Sequence, residues 1–102
     1  MSESMRLTRE QKQRIIQTIS RLAGESAQVY LFGSRLDDQA RGGDVDLLIE
    51  TDVLPAFIDR ARIQMELESR LGLPVDIVWK ERNRTPTPFQ TIARSGAARL
   101  EN

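Results

Sequence analysis

An apolar, strand-like segment that carries two aspartates is the feature that most limits how this chain can fold. Residues 44–50 read DVDLLIE. Side chains alternate between the two faces of a β-sheet, so Asp44, Asp46 and Leu48 share one face and the other apolar residues share the opposite one. An ionised carboxylate is costly in such a strand unless a cation or hydrogen bonds satisfy it. Asp44 follows two glycines and could be a turn residue, but Asp46 indicates a functional site.

Three helices and three strands are predicted around this segment, in the order α-β-β-α-β-α. The first helix begins at Thr8, which forms a capping box with Gln11, and ends at Gly24. The second has Pro55 in its first turn and runs to about Leu71. A final, weaker helix lies within residues 89–102, after a charged, proline-containing loop.

The strands predict the fold class. Segments 28–34 (QVYLFGS), 44–50 and 73–79 (LPVDIVW) are rich in β-branched and aromatic residues. No helical crossover joins the first two strands, so the sheet is expected to be mixed rather than all-parallel. We therefore predict an α+β fold, with a small mixed sheet of three or four strands packed by helices. The 102 residues of the chain are expected to form one domain, 1–102.

Helical spacing also predicts which apolar residues of the later helices are buried. In the second and final helices these are, in order, Ile58, Ala61, Met65, Leu67, Phe89, Ile92 and Leu100.

Composition excludes several kinds of chemistry. The chain has no cysteine and no histidine, which removes thiolate metal sites, cysteine nucleophiles and the usual general base near neutral pH. Its 15 basic residues balance 15 acidic ones, so direct nucleic-acid binding is not expected. No apolar run approaches the ~20 residues of a membrane span, and a cytoplasmic location is expected. Catalysis would have to use carboxylates, arginines, lysines, hydroxyls, backbone dipoles or hard metal ions.

A third carboxylate, Asp76, interrupts the last apolar strand in the same way. Three carboxylates near one another repel, and a shared divalent cation resolves that repulsion. Mg²⁺ prefers oxygen ligands and is commonly held by one or two carboxylates together with substrate phosphates. Carboxylates at alternate strand positions, with a third on a neighbouring strand, suit a two-metal site for phosphoryl or nucleotidyl transfer.

The turn after the first strand offers groups that suit a phosphate. Gly33 would let the backbone approach a triphosphate closely, and the Ser34 hydroxyl and nearby N–H groups would donate to its oxygens. Arg35 would add positive charge. Gly-Ser alone is ordinary turn chemistry, and no Walker Gly-Lys-Ser/Thr follows it. The order of turn, loop and aspartate-bearing strands is what favours the functional interpretation.

This order resembles the signature of the DNA polymerase β-like nucleotidyltransferase superfamily. Gly33-Ser34, nine further residues and then Asp44-Val45-Asp46 form the motif. The wording of residues 33–50 is similar to that of the stand-alone minimal nucleotidyltransferases (MNT), and the resemblance covers about residues 7–78. It implies the polymerase β-like fold, with Asp44, Asp46 and Asp76 binding two Mg²⁺ ions, or Mn²⁺. It also implies that Gly33 and Ser34 position ATP or another NTP.

A chain of 102 residues is expected to be too short to hold both this core and a substrate-recognition domain, so a partner subunit is predicted, and the resemblance implies which kind. That partner would be a small helical HEPN-type protein in a toxin–antitoxin pair, which this antitoxin would modify with AMP. The alternative is a non-catalytic subunit that neutralises its partner by contact alone. The segment 80–99, with five basic residues and one acidic residue, could be a partner or RNA surface or an exposed, salt-bridged tail.

Overall fold

The computed structural model describes residues 7–33 and 45–101, in which three helices pack on a four-stranded sheet. The α+β fold class is therefore confirmed. The elements in chain order are α1 (Arg9–Ala23), β1 (Gln28–Phe32), β2 (Val45–Thr51), α2 (Phe57–Leu71), β3 (Val75–Glu81), α3 (Pro88–Ser95) and β4 (Ala98–Leu100).

The sheet is mixed, as expected, and its strand order is β3-β2-β1-β4. β1 pairs antiparallel with both β2 and β4, while β2 pairs parallel with β3. α2 supplies the crossover that the parallel pair requires. The three-residue strand β4 was not predicted, because a segment as short as Ala-Arg-Leu carries little strand signal and is defined by its pairing with β1.

One face of the sheet forms the core with α1 and α2. In β2, Val45, Leu47 and Ile49 are each 0% exposed, which confirms the alternation read from the sequence. They pack with buried residues of both helices, among them Ile19 and Leu67. The polar face of the sheet is therefore the opposite one, which α3 partly covers.

Local signals explain where the helices begin and end. Thr8 and Gln11 form the predicted capping box, and the N–H of Gly24 donates to a carbonyl of the last turn of α1. α3 has an equivalent capping box between Thr87 and Gln90. α2 begins at Phe57, two residues later than Pro55 suggests.

Four apolar residues predicted to be buried are exposed instead. Ile58 and Met65 are 64% and 68% exposed, and Phe89 and Ile92 are 57% and 69% exposed. Each helix carries apolar residues on more than one face, and only the packing of the whole fold determines which face meets the sheet. Leu67 is buried as predicted, and Ala61 is partly buried. Leu100 is buried too, but in β4 rather than in the final helix, which ends at Ser95.

An ion-pair network joins α1 to α2 at the surface. Glu66 accepts hydrogen bonds from Arg70 at 2.7 Å and from Arg21 at 3.1 Å, and these bonds lower the pKa of Glu66 from its ordinary value. The network is present at neutral pH and is lost as the pH falls through that lowered pKa. Its groups are exposed to water, so its effect on stability is small.

No helix in the described part of the chain is long and apolar enough to cross a membrane.

A buried hydroxyl on the core face of β2 gives a test of this packing. Thr51 is 3% exposed, and its Oγ1 has no hydrogen-bond partner among the described residues. Replacing Thr51 with Val keeps the shape and removes the unsatisfied group, so we expect the free energy of unfolding to rise by about 1 kcal/mol. Thr51→Ser, which keeps the hydroxyl and loses the methyl, should lower it by about 1 kcal/mol. Urea denaturation measures both, and a destabilised Thr51→Val variant would contradict this packing.

Candidate active site

The parallel pairing of β2 with β3 brings two of the predicted carboxylates together. Asp46 and Asp76 are direct register partners, so both side chains lie on the polar face of the sheet. Asp76 is exposed and Asp46 is partly buried. Two carboxylates at neighbouring positions of adjacent strands repel unless a positive charge lies between them. The arrangement therefore favours a bound cation.

Gly33 completes this corner of the sheet from the other side. Phe32, which precedes it, is the register partner of Asp46 on β1. Gly33 has φ of 82°, and a Cβ added there would lie 2.2 Å from Oδ2 of Asp46 and 3.1 Å from its Cβ. Rotation of the aspartate side chain cannot relieve the second contact. A side chain at this position would have to displace Asp46 and adopt a backbone conformation that favours glycine, because the backbone at the end of β1 lies directly against the Asp46 carboxylate.

Three predicted site residues, Ser34, Arg35 and Asp44, lie outside the described residues. Asp44 immediately precedes Val45, the first residue of β2, and Ser34 follows Gly33. Their roles stay predictions from the sequence.

The donor set is suited to a hard divalent cation. Carboxylate oxygens from two adjacent strands are the ligands that Mg²⁺ prefers, and bound substrate can provide more. Within residues 7–33 and 45–101, no group of three acidic side chains could hold a metal by itself. Asp46 and Asp76 therefore fit as part of a metal site that needs a further oxygen ligand, and Asp44 is the candidate nearest in sequence.

The polar face continues beyond the carboxylates into a second group of charged residues. Alternation along β3 places Lys80 on the same face as Asp76, opposite Glu50 of β2. Arg94 of α3 lies above the Tyr30 ring, 4.1 Å from its centroid. The sequence alone places Lys80 and Arg94 in the basic segment 80–99, to which it assigns no single function. The two-residue period of β3 could have placed Lys80, but the position of α3 could not be read from sequence.

The contact between Gly33 and Asp46 can be tested by a matched pair of substitutions. Gly72 also has positive φ, 70°, but a Cβ added there would meet nothing within 4 Å. We expect Gly72→Ala to cost about 1–2 kcal/mol for the left-handed backbone alone. Gly33→Ala should cost about 1–3 kcal/mol more, because it also forces atoms together. Equal losses in urea denaturation would show that Asp46 does not constrain Gly33.

The family model described as a nucleotidyltransferase domain matches residues 12–99. No curated protein is detectably similar to the chain.

Two solved structures share the fold at low sequence identity. A chain in the structure of tri-AMPylated Shewanella oneidensis HEPN toxin in complex with MNT antitoxin superposes with a TM-score of 0.72 and 20% identity, over 93% of this chain and 72% of that one. A chain in a mutant of the toxin–antitoxin MntA-HpeT gives a TM-score of 0.71 and 19% identity, over 88% and 72%.

Proposed function

Because the chain belongs to the nucleotidyltransferase domain family, we propose that it transfers a nucleoside monophosphate, AMP from ATP, to a hydroxyl group on a partner protein. The observation that supports this most is the pairing of Asp46 with Asp76 on the open face of the sheet, against the backbone of Gly33. Family membership gives the class of reaction. The identities of the nucleotide donor, of the acceptor hydroxyl and of the metal ion are what we propose.

Asp44, Asp46 and Asp76 would hold Mg²⁺, with Mn²⁺ as a substitute, in a site for two ions. When bound, such ions neutralise charge on the phosphates and on the attacking and leaving oxygens. The chain's own contribution is to fix carboxylates from two strands at one place before substrate arrives. That arrangement requires no histidine, because positioning and charge neutralisation provide most of the catalysis of phosphoryl transfer.

The remaining groups would position the two substrates. Gly33, Ser34 and Arg35 would bind the triphosphate through backbone N–H groups, the hydroxyl and the guanidinium. Asp76, exposed on the edge strand, would accept the proton of the acceptor hydroxyl. The acceptor oxygen then forms a bond to the α-phosphorus while the bond from that phosphorus to pyrophosphate breaks.

We propose a small helical HEPN-type protein as the acceptor, in a toxin–antitoxin pair in which this chain is the antitoxin. Both structural neighbours come from complexes of toxin and antitoxin, and one toxin is tri-AMPylated. The other complex is a mutant with glutamates in place of two aspartates two positions apart, the spacing of Asp44 and Asp46 here. ATP as the donor of the nucleotide also agrees with the cytoplasmic location expected from the sequence.

Exposed apolar side chains support a protein partner. Phe57, Ile58 and Met65 on α2 are 64–76% exposed, and Phe89 and Ile92 on α3 are 57% and 69% exposed. Exposed apolar residues that lie close together on one helix are typical of surfaces that bind other proteins, and here α2 and α3 each carry such residues.

Asp46→Asn tests the role of the carboxylates. Incubation with labelled ATP, Mg²⁺ and the candidate HEPN partner should label the partner with AMP, and the variant should lose at least about 100-fold in rate. Asp59→Asn, an equal change of charge on the exposed first turn of α2, should keep full activity. Equal melting temperatures would show that the variants are folded. Undiminished transfer by Asp46→Asn would contradict the assignment.

The same assay separates the alternative function, a subunit that neutralises its partner by contact alone. A stable complex that never carries label would support that alternative over transfer.

Asp76→Asn tests the proposed proton acceptor. Loss of a general base costs about 10²–10⁴-fold in rate, and this loss should shrink as the pH rises, because hydroxide ion can then remove the proton of the acceptor hydroxyl. A rate profile from pH 6 to 10, for the variant and the unaltered chain, measures this. Parallel profiles would assign Asp76 to metal binding alone.

A further inference from the structure

A cavity lies on the polar face of the sheet, between the strands and α3. Its volume is about 460 Å³, and its lining includes Tyr30 and Leu48 from the sheet and Thr91 and Arg94 from α3. Small-molecule sites commonly have volumes of about 300–1,000 Å³. The Glu50–Lys80 pair at this cavity lies four residues along the strands from the Asp46–Asp76 pair, a separation of ~13 Å. It is therefore a place distinct from the candidate active site.

The lining of this cavity is strongly basic. It contains Lys80, Arg82, Arg84 and Arg94 against a single acidic residue, Glu50. Two of these cations have acidic partners. Arg82 pairs with Asp52 and lies 3.9 Å from Glu50, and Arg84 lies 3.4 Å from Glu81.

Lys80 and Arg94 have no carboxylate within ion-pair distance in the part of the chain that the structure describes. Lys80 is only 8% exposed, and its Nζ donates to the carbonyl oxygens of Glu81 at 2.6 Å and of Arg82 at 3.4 Å. Arg94 stacks on Tyr30. A buried cation without a carboxylate partner is costly, and an anion bound in the cavity would offset that cost.

We propose that this cavity binds a phosphate group, in a ligand the size of a nucleoside monophosphate. A guanidinium fork and an ammonium group that line the same cavity suit the several oxygens of a phosphate. Leu48 and Pro86 provide an apolar surface for the rest of the ligand, and the Thr91 hydroxyl can donate to it. This inference does not depend on the transfer reaction proposed above, because it uses neither the aspartates nor the turn at Gly33.

Calorimetric titration of the full chain in EDTA tests the site without metal-dependent binding. AMP should bind, and adenosine should bind at least about tenfold more weakly, because it lacks the charge-assisted hydrogen bonds of the phosphate. Arg94→Gln should weaken AMP binding at least about tenfold as well. Arg62→Gln, the same change on the exposed side of α2, should leave it unchanged.

Lys80→Gln should reproduce the effect of Arg94→Gln. If the loss of this buried residue prevents folding, Arg94→Gln decides alone, since Arg94 is exposed on α3. If inorganic phosphate binds more weakly than AMP, the cavity is a nucleotide site. If inorganic phosphate and AMP bind equally well, the cavity is a site for free phosphate, and the proposed nucleotide-sized ligand is wrong. Absence of AMP binding, equal binding of adenosine, or binding unchanged by Arg94→Gln would each overturn the proposal.

Discussion

The parallel register between β2 and β3 is the constraint on which the candidate site depends. Asp46 lies opposite Asp76 because, on the other face of the same strands, Val45 lies opposite Val75 and Leu47 opposite Ile77. Those apolar residues pack beneath α1 and α2. A slip of one residue would turn an aspartate into the core and expose its apolar neighbours. The packing of the hydrophobic core thus holds two carboxylates next to each other although they repel.

The two faces of the sheet have different roles, one in stability and the other in the proposed binding of ligands. One face is apolar and stabilises the fold through α1 and α2, while the other carries charged groups arranged along the strands. At one end of that second face the paired carboxylates lie on neighbouring strands, and Asp46 lies against Gly33, where a Cβ would contact its side chain. Further along, beneath α3, Lys80 and Arg94 line a basic cavity. A negative and a positive region on one surface can bind a cation and an anionic ligand side by side.

Much of this arrangement could be predicted from local sequence signals. The capping box at Thr8, the alternation in β2 and the aspartate in β3 depend on neighbouring residues, and the structure confirms each of them. The mixed sheet was also predicted correctly, but other predictions that required long-range packing were wrong or missing. The exposed Ile58 and Phe89 belong to helices with more than one apolar face, and β4 exists through its pairing with β1. The contact of Gly33 with Asp46 joins the residue that follows β1 to a residue of β2, which spacing alone does not reveal.

Direct detection of the cation is the most direct test of the account. Mn²⁺ is paramagnetic and broadens the NMR signals of backbone amides close to where it binds. Titration of the isotope-labelled chain with Mn²⁺ should first broaden the amides of Gly33, Asp46 and Asp76, and this selective broadening should be lost in the Asp46→Asn variant. Uniform broadening across the exposed acidic residues, or broadening that the substitution leaves unchanged, would contradict a cation site at the paired carboxylates.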